Sequence, residues 1–110
     1  MISAEICLER YMLVDSGADT TLIPRSVGKG LGFKIHEGED IFSLGGISGA
    51  VPVVYRKLTI RLGEIELKIP VAWAMDENVP LLLGREVVFE KFDIEFRQAE
   101  RKIIFRWREE

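Results

Sequence analysis

Short apolar segments separated by glycines, prolines or charged turns recur along the whole chain, and they restrict it to a fold built from many short β-strands. Within residues 64–71, isoleucine and leucine alternate with glutamate and lysine, as in a strand that buries one face. Residues 57–62 alternate in the same way on the other side of Gly63, which predicts a hairpin. The segments at 92–96 and 102–107 form a second such pair, joined by a charged turn. The pattern therefore predicts a mainly β protein.

A helical period is present in one segment, residues 84–92, which predicts a short helix near the C-terminal end. Residues 22–27 are compatible with one helical turn or with a short strand, and residues 33–44 with a strand bent at Gly38. The chain has no linker, repeat or low-complexity tract, so residues 1–110 are predicted to form one domain, a closed or sandwiched β structure. Further strands are expected at residues 2–8, 10–15, 41–44, 51–55 and 79–83.

The charge balance and the rare residue types argue against several kinds of function. The net charge is −3, and the 15 lysines and arginines form no basic stripe, which argues against nucleic-acid binding. The densest basic stretch, residues 97–108, is interleaved with glutamate and is typical of a solvated strand. Cys7 and His36 are each the only residue of their type. A disulfide within the chain, a metal site based on cysteine or histidine, and a Ser-His-Asp triad therefore all lack parts.

The same survey predicts a location in the cell. The longest apolar runs are far too short to span a membrane. The residues after Met1 lack the basic start and apolar run of a secretory leader. We therefore expect a cytoplasmic protein that has no membrane partner.

An acidic turn that directly follows an apolar strand is the strongest candidate for chemistry. Residues 10–14 lead into Asp15-Ser16-Gly17-Ala18, and a buried strand of this kind delivers its last side chain to a cleft. Taken alone, Asp-Ser-Gly is more typical of a turn in which the aspartate bonds to its own backbone. Two other segments stand out. Residues 81–85 contain three leucines followed by Gly-Arg, and residues 45–49 form a glycine-rich tip between strands.

These three segments, in this order and spacing, resemble the hallmarks of retropepsin-like aspartic proteases. Residues 13–21 resemble the hydrophobic-hydrophobic-Asp-(Thr/Ser)-Gly-Ala signature that carries the catalytic aspartate of that family. Residues 81–85 before a helix resemble its second hallmark, and residues 45–49 match the position of its flap. The resemblance extends from about Met12 to Phe105. It implies a closed acid-protease β-barrel with one short C-terminal helix and an active site at a homodimer interface.

The resemblance also implies roles for individual residues. Asp15 would be the catalytic carboxylate, Ser16 would bond across to the loop of the partner subunit, and Asp19 would contact the substrate backbone and pair with Arg85. Neither a metal nor another cofactor is implied. The implied supporting residues are Ser16, Gly17 and Ala18, and the implied substrate-binding residues are Asp19, Arg85, Gly45, Gly46, Ile47, Ser48 and Gly49.

The number of motifs predicts a homodimer. Hydrolysis by this chemistry needs two carboxyl groups that share a proton, one serving as base and the other as acid. The chain contains one Asp-Ser-Gly, and Asp40, Asp76 and Asp93 are not followed by Ser-Gly or Thr-Gly. A two-fold axis through the cleft would supply the missing carboxylate, because it places Asp15 opposite its own copy.

The predicted substrate is a polypeptide with large hydrophobic residues beside the scissile bond, cleaved best at acidic to mildly acidic pH. The preference for hydrophobic residues follows from the apolar cleft walls that the resemblance implies. The residues expected to form these walls are Val14, Ile47, Val53 and residues 81–83.

A second hypothesis is a catalytically inactive dimeric or peptide-binding module with the same fold. Only 14 residues precede Asp15, fewer than in retroviral members of the family. The intersubunit contact expected from residues 102–107 and 1–7 would then be altered, which could misplace the paired carboxylates. A zinc or nucleotide enzyme is a poor third hypothesis, because the chain has no Gly-x-x-x-x-Gly-Lys-(Ser/Thr) segment.

Overall fold

The computed structural model of the chain describes residues 12–15, 17–46, 49–97, 99–100 and 102–108. The strand expected at residues 2–8 and the predicted site residues Ser16, Ile47 and Ser48 lie outside the described residues. The prediction of a mainly β protein is confirmed, with 52% of the chain in strands. The elements in chain order are β1 (Leu13–Val14), β2 (Thr21–Ile23), α1 (Arg25–Gly30), β3 (Phe42–Gly46), β4 (Gly49–Leu62), β5 (Ile65–Ala74), β6 (Leu82–Leu83), α2 (Val88–Lys91), β7 (Phe92–Arg97) and β8 (Lys102–Trp107).

The β4–β5 hairpin is the part of the fold that the alternating sequence predicts best. Leu62 pairs with Ile65 across Gly63, and the antiparallel register continues as far as Val53 opposite Ala74. Gly63 has a φ of +64°, a left-handed conformation that glycine adopts without a steric penalty. Along the first half of β5, Leu67 and Ile69 are buried, whereas Glu66 and Lys68 are exposed. The predicted half-buried strand is confirmed.

The short strands around the acidic turn complete a six-stranded sheet in the order β1-β6-β2-β5-β4-β3. β6 lies between β1 and β2, parallel to the first and antiparallel to the second. Strands that are far apart in the sequence are therefore neighbours at this end of the sheet. β7 and β8 form a separate antiparallel hairpin with Phe92 opposite Trp107, which confirms the two strands predicted there.

The six-stranded sheet is a curled half-barrel, not the fully closed barrel that the resemblance implied. Within the described residues, β1 and β3 form the two edges of the sheet, and neither pairs with the β7–β8 hairpin. β7 and β8 pair with each other and with neither edge of the larger sheet, so the described strands leave that sheet open.

Residues 22–27 contain both of the structures that the sequence allowed. β2 ends at Ile23, and α1 begins at Arg25. Glycine often breaks a helix, but Gly28 and Gly30 both lie within α1. A Cβ at Gly28 would lie 2.1 Å from Nε1 of Trp73. Glycine is therefore needed so that α1 can pack closely against β5, and a larger residue would force the two apart.

Trp73 anchors this contact between helix and sheet. Its side chain is buried, and its indole N–H donates to the backbone carbonyl of Arg25 at 3.1 Å. The ring of Phe33 packs against the indole with 5.6 Å between the centroids. A buried tryptophan whose N–H is satisfied combines large apolar contact with a fixed orientation. It therefore sets the position of α1 on the sheet.

The segment between α1 and β3 is held by a side chain instead of a strand ladder. The sequence predicts a strand over residues 33–44, but β3 begins only at residue 42. Nη2 of Arg56, on β4, donates to the Lys34 carbonyl and to Oε2 of Glu39, both at 2.8 Å. Nη1 of Arg56 bonds to the other oxygen of the same carboxylate. A guanidinium that binds both a carboxylate and a carbonyl in this way fixes the loop by fork-like hydrogen bonding.

The Glu39–Arg56 pair predicts a pH-dependent part of the stability. Hydrogen bonds from the Arg56 guanidinium and from the backbone N–H of His36 lower the pKa of Glu39 from 4.5 to about 2. Because the pKa is lower in the folded chain than in the unfolded chain, this contribution is fully present above the unfolded value and is lost as the pH falls towards the folded value. Glu39→Gln should therefore reduce stability near neutral pH, and its difference from the wild type should shrink across that acidic window.

Urea denaturation midpoints measured near neutral pH and at two points inside the window test this prediction. Glu37→Gln is the matched control, because Glu37 is exposed and its side chain forms no ion pair with any residue that the structure describes. A difference between Glu39→Gln and wild type that stays constant with pH would contradict it.

The elements at residues 79–92 are shorter than the sequence pattern predicts. β6 has two residues, and α2 begins at Val88 instead of Gly84. The helix does not extend back through Val87, because the φ of 69° at that residue is not helical; the N–H groups of residues 84–86 bind residues 18–21 instead. Val88 is buried in the same core as Trp73 and Phe92. Neither helix, in the part of the chain that is described, is long and apolar enough to cross a membrane.

Candidate active site

Asp15 lies directly after β1, at an edge of the six-stranded sheet. Its backbone N–H donates to the carbonyl of Leu83 at 3.1 Å, and the N–H of Leu13 donates to the carbonyl of Leu81 at 2.9 Å. The parallel pairing of β1 with β6 therefore extends to the aspartate itself. The side chain of Asp15 is half-buried, whereas Leu13 is 62% exposed.

The turn after Asp15 orients its carboxylate. The N–H of Gly17 donates to Oδ1 at 2.8 Å, and the N–H of Ala18 donates to the Asp15 carbonyl at 3.2 Å. A Cβ on residue 17 would lie 3.3 Å from Oδ1, so glycine allows this close approach. The other oxygen, Oδ2, accepts no hydrogen bond from a described residue. One oxygen is thus held by the backbone while the other can bind a water molecule.

The loop that begins with Asp15 starts and ends beside the same strand. β1 precedes the loop, β2 follows it, and the two flank β6 on opposite sides. Thr21 is 1% exposed, and its hydroxyl accepts a hydrogen bond from the N–H of Gly84 at 3.0 Å. A Cβ on Gly84 would lie 2.5 Å from the carbonyl carbon of Thr20. β6 and the glycine after it are therefore the support on which the loop rests.

The structure brings Asp19 and Arg85 to the same loop, but not as the expected ion pair. The N–H of Arg85 donates to the Ala18 carbonyl at 2.9 Å. Its guanidinium lies over the ring of Phe89, 5.9 Å from the centroid, and Asp19 forms no salt bridge with it. The sharp turn at Gly84 explains the difference, because it presents the backbone of residue 85 to the loop while the side chain runs along α2.

Glu86 and Thr20 form hydrogen bonds around the loop that the sequence did not lead us to expect. The N–H of Glu86 donates to the Asp19 carbonyl at 2.8 Å, and the Thr20 hydroxyl donates to Oε1 of Glu86 at 2.9 Å. A signal was present, since two threonines follow the Ala-Asp of the motif and a glutamate follows Gly84-Arg85. A hydroxyl donor and a carboxylate acceptor that flank paired segments are natural hydrogen-bond partners.

The glycine-rich segment forms the predicted hairpin. Gly46 pairs with Gly49, and Gly45 pairs with Ala50. Gly49 has a φ of +110°, which a residue with a side chain adopts only under strain. A Cβ at Gly45 would meet nothing within 4 Å, so the arms of the hairpin tip are open to their surroundings. The structure establishes the hairpin, and the tip residues 47–48 lie outside the described part.

Two of the six residues expected to form the cleft walls are corrected. Val53 has 0% and Leu83 1% of its surface exposed, because both pack inside the core of the chain. Neither can contact a substrate in this arrangement. Val14, Leu81 and Leu82 are half-buried. Val14 and Leu81 pack against the main core and Leu82 against a second cluster around Val53, whereas Leu13, the register partner of Leu82, shares a face with Asp15 two residues along.

Two open clefts lie elsewhere on the described surface. One, of about 420 Å³, has the basic side chains Arg25, Lys29 and Lys34 around Phe33 and Trp73. The other, of about 440 Å³, is apolar and lies between the β4–β5 turn and the β7–β8 hairpin. Asp15 lines neither cleft. The described side chains also contain no cluster of three or more groups that could hold a metal ion.

Comparison with known families identifies one match. The model of an aspartyl protease family matches residues 8–87, well over half of the 110-residue chain. The matched segment contains Asp15, the glycine-rich hairpin and the turn at Gly84. No curated protein and no solved structure matches the chain significantly.

Proposed function

Because the chain belongs to a retropepsin-like aspartyl protease family, we propose that it is an aspartic endopeptidase that acts as a homodimer, with one Asp15 from each subunit in a single active site. The observation that carries the proposal is the position of Asp15 inside the matched segment. It stands directly after β1, and the N–H of Gly17 holds one oxygen of its carboxylate at 2.8 Å.

The two carboxyl groups would share one proton, because two carboxylates a few ångströms apart cannot both ionise without a large penalty. The ionised group takes a proton from water, whose oxygen attacks the carbonyl carbon of the peptide. The protonated group donates its proton to the carbonyl oxygen, which gives a tetrahedral diol. The C–N bond then breaks as the group that took the proton from water passes it to the nitrogen, and a diol hydroxyl returns a proton to the other group, so the pair again holds one proton. The enzyme is active where the pair holds a single proton, and we expect an acidic to mildly acidic optimum.

The substrate class follows from the surface beside Asp15. Leu13 is exposed and its register partner Leu82 is half-buried, and both share a face with Asp15. An extended polypeptide with large apolar side chains at the scissile bond would cover this surface and remove it from water. The glycine-rich hairpin, with residues 45–49 at its tip, is proposed to close over such a peptide as a flap. Asp19 and Arg85 are proposed to bind its backbone.

The exposed apolar side chains of the β7–β8 hairpin support a homodimer. Phe96 is 50% exposed, and its cross-strand partner Ile103 is 41% exposed. Trp107, at the end of β8, is also 41% exposed. In addition, each strand of this hairpin has one lateral edge that no other described strand covers. Clustered apolar side chains next to free strand edges are typical of a surface that a second chain covers.

Phe96→Glu should therefore shift the protein from dimer to monomer and remove most of the peptidase activity at the same total concentration. A charge placed in an apolar contact opposes association, because it would be buried without a partner. Sedimentation velocity over a range of concentrations measures the shift. Ile41→Glu is the matched control, since Ile41 is 57% exposed but lies far along the chain from β7 and β8. A wild type that is monomeric at every concentration would contradict the dimer.

Incubation of the purified protein with an unstructured, hydrophobic-rich polypeptide tests the activity itself. We expect acid-favoured cleavage that a peptide mimic with a hydroxyl in place of the scissile carbonyl inhibits, because such a mimic occupies the position of the attacking water. Binding of the polypeptide without cleavage at any pH would instead favour the inactive peptide-binding module. Absence of both binding and cleavage would discard both hypotheses.

A further inference from the structure

We propose that Glu86 is a positioning residue of the active site, which holds the second half of the catalytic loop and thereby sets the place of Asp19 for substrate binding. This inference rests on the proposed peptidase function, because it concerns the end of the loop that would meet the substrate. The sequence resemblance assigns Glu86 no role. Its position after the Gly84-Arg85 turn, and not any motif, brings it to the loop.

Glu86 makes two of the three hydrogen bonds that tie this turn to residues 18–20. Its N–H donates to the Asp19 carbonyl at 2.8 Å, and its Oε1 accepts the Thr20 hydroxyl at 2.9 Å. The third bond, from the N–H of Arg85 to the Ala18 carbonyl at 2.9 Å, comes from the neighbouring residue. Asp19 thus lies between two residues that the turn holds directly. A side chain flanked in this way is restricted in direction even where it has no partner of its own.

The backbone immediately after Glu86 is strained in a way that fits this role. Val87 has φ 69° and ψ −51°, and it is the one residue other than glycine with a positive φ in the described part of the chain. The N–H of Val88 donates to the Glu86 carbonyl at 2.8 Å across it. These features define a γ-turn of the rare positive-φ type, which is unfavourable for a β-branched residue.

Such strain persists only where the surrounding structure holds it in place. Here the turn redirects the chain between the loop contacts of Glu86 and the start of α2. Val88, the first residue of α2, is buried in the core. The γ-turn at Val87 is held by the fixed end of α2 on one side and by the loop on the other. In return, the turn presents both the N–H and the carboxylate of Glu86 to the loop.

Asp15 is anchored by a separate set of bonds. Its N–H donates to the backbone carbonyl of Leu83, and its carboxylate accepts a hydrogen bond from the N–H of Gly17. None of the three bonds from the Gly84 turn reaches Asp15 or Gly17. Loss of the Glu86 side chain should therefore loosen the substrate-binding end of the loop while the reacting carboxylate keeps its position.

Kinetics of Glu86→Ala, Glu86→Gln and Thr20→Val test the proposal. The bond between the Thr20 hydroxyl and the Glu86 carboxylate is exposed to solvent, and a bond of this kind changes an equilibrium by about three- to tenfold. We expect Glu86→Ala and Thr20→Val each to raise KM by that factor, with kcat within about twofold of wild type. Glu86→Gln should restore the wild-type KM, since its amide oxygen accepts the same hydroxyl. The KM of the double variant Glu86→Ala/Thr20→Val should be no higher than that of either single variant, because each substitution removes the same hydrogen bond.

Glu90→Ala is the matched control, as Glu90 is an exposed glutamate on α2 whose side chain contacts no described partner by hydrogen bond or ion pair. It should behave as wild type. A lower kcat at unchanged KM in Glu86→Ala would overturn the proposal, and so would a Glu86→Gln variant that behaves like Glu86→Ala.

Amide hydrogen exchange separates this proposal from the proposed function. The N–H groups of Arg85 and Glu86 bind the loop, so their exchange should be faster in Glu86→Ala and Thr20→Val than in wild type and Glu86→Gln. This readout needs no catalysis. If the wild type cleaves nothing, the peptidase proposal fails while exchange still decides whether Glu86 holds the loop. Equal exchange in all variants would overturn the positioning role even if the enzyme is active.

Discussion

Asp15→Asn should reduce the rate of polypeptide cleavage by roughly a thousandfold or more, because general acid–base groups contribute ~10²–10⁴-fold and this change removes both members of the proposed pair. Asparagine keeps the size of the side chain, and its amide oxygen can still accept the N–H of Gly17. The loop should therefore keep its shape and the variant its stability. Initial rates on an unstructured, hydrophobic-rich polypeptide measure the effect. Asp40→Asn, at an exposed aspartate, is the control.

Mixtures of wild type and Asp15→Asn test whether two subunits share one site. If subunits exchange freely and each active dimer needs two aspartates, the active fraction is the square of the wild-type fraction. An equal mixture would then have about a quarter of the activity of the same total amount of wild type. If each chain worked alone, about half would remain. A linear dependence would reject the shared site, and equal rates for the pure variant and the wild type would reject Asp15 as the catalytic residue.

Gly84→Ala should cause the largest loss of stability among single-methyl changes near the site. The added Cβ would lie 2.5 Å from the carbonyl carbon and 2.6 Å from the carbonyl oxygen of Thr20. These are backbone atoms, so no side-chain rotation can relieve the overlap. Overpacking costs about 1–3 kcal/mol, and we expect the upper end of that range here. For a chain of this size, that corresponds to a fall in the thermal midpoint of roughly 10–20 °C.

Activity should fall together with stability in this variant, because the displaced loop carries Asp15 at its start. Thermal unfolding followed by circular dichroism and the cleavage assay below the lowered midpoint provide the two measurements. Gly45→Ala is the stability control, since its Cβ would meet nothing within 4 Å. A Gly84→Ala protein that melts like Gly45→Ala would show that the backbone at Thr20 can move away at little cost.

The features that local patterning encodes were predictable from the sequence. The β4–β5 and β7–β8 hairpins follow from alternation around turns, since a period of two already defines a face and a partner. The turn at Asp15 and Gly17 was predictable for a similar reason, because an aspartate and a glycine two residues later form a self-contained unit.

Features that depend on distant parts of the chain were not predictable in this way. No local pattern indicates that Gly28 accommodates Trp73 or that Arg56 replaces a strand ladder by binding Lys34 and Glu39. The Asp19–Arg85 ion pair was expected from the family resemblance. The structure instead uses backbone groups of residue 85, since a main-chain N–H carries no signature in the sequence.

The insertion of β6 between β1 and β2 has a consequence for the order in which the molecule matures. Leu13 pairs with Leu82, so the loop that carries Asp15 is supported by a part of the chain that leaves the ribosome much later. Contacts between such distant residues form slowly during folding, since a long loop must be closed first. A nascent or truncated chain that ends before Leu82 would carry the complete acidic motif without the strand that supports it, so the proposed hydrolytic activity would appear only late in the making of the polypeptide.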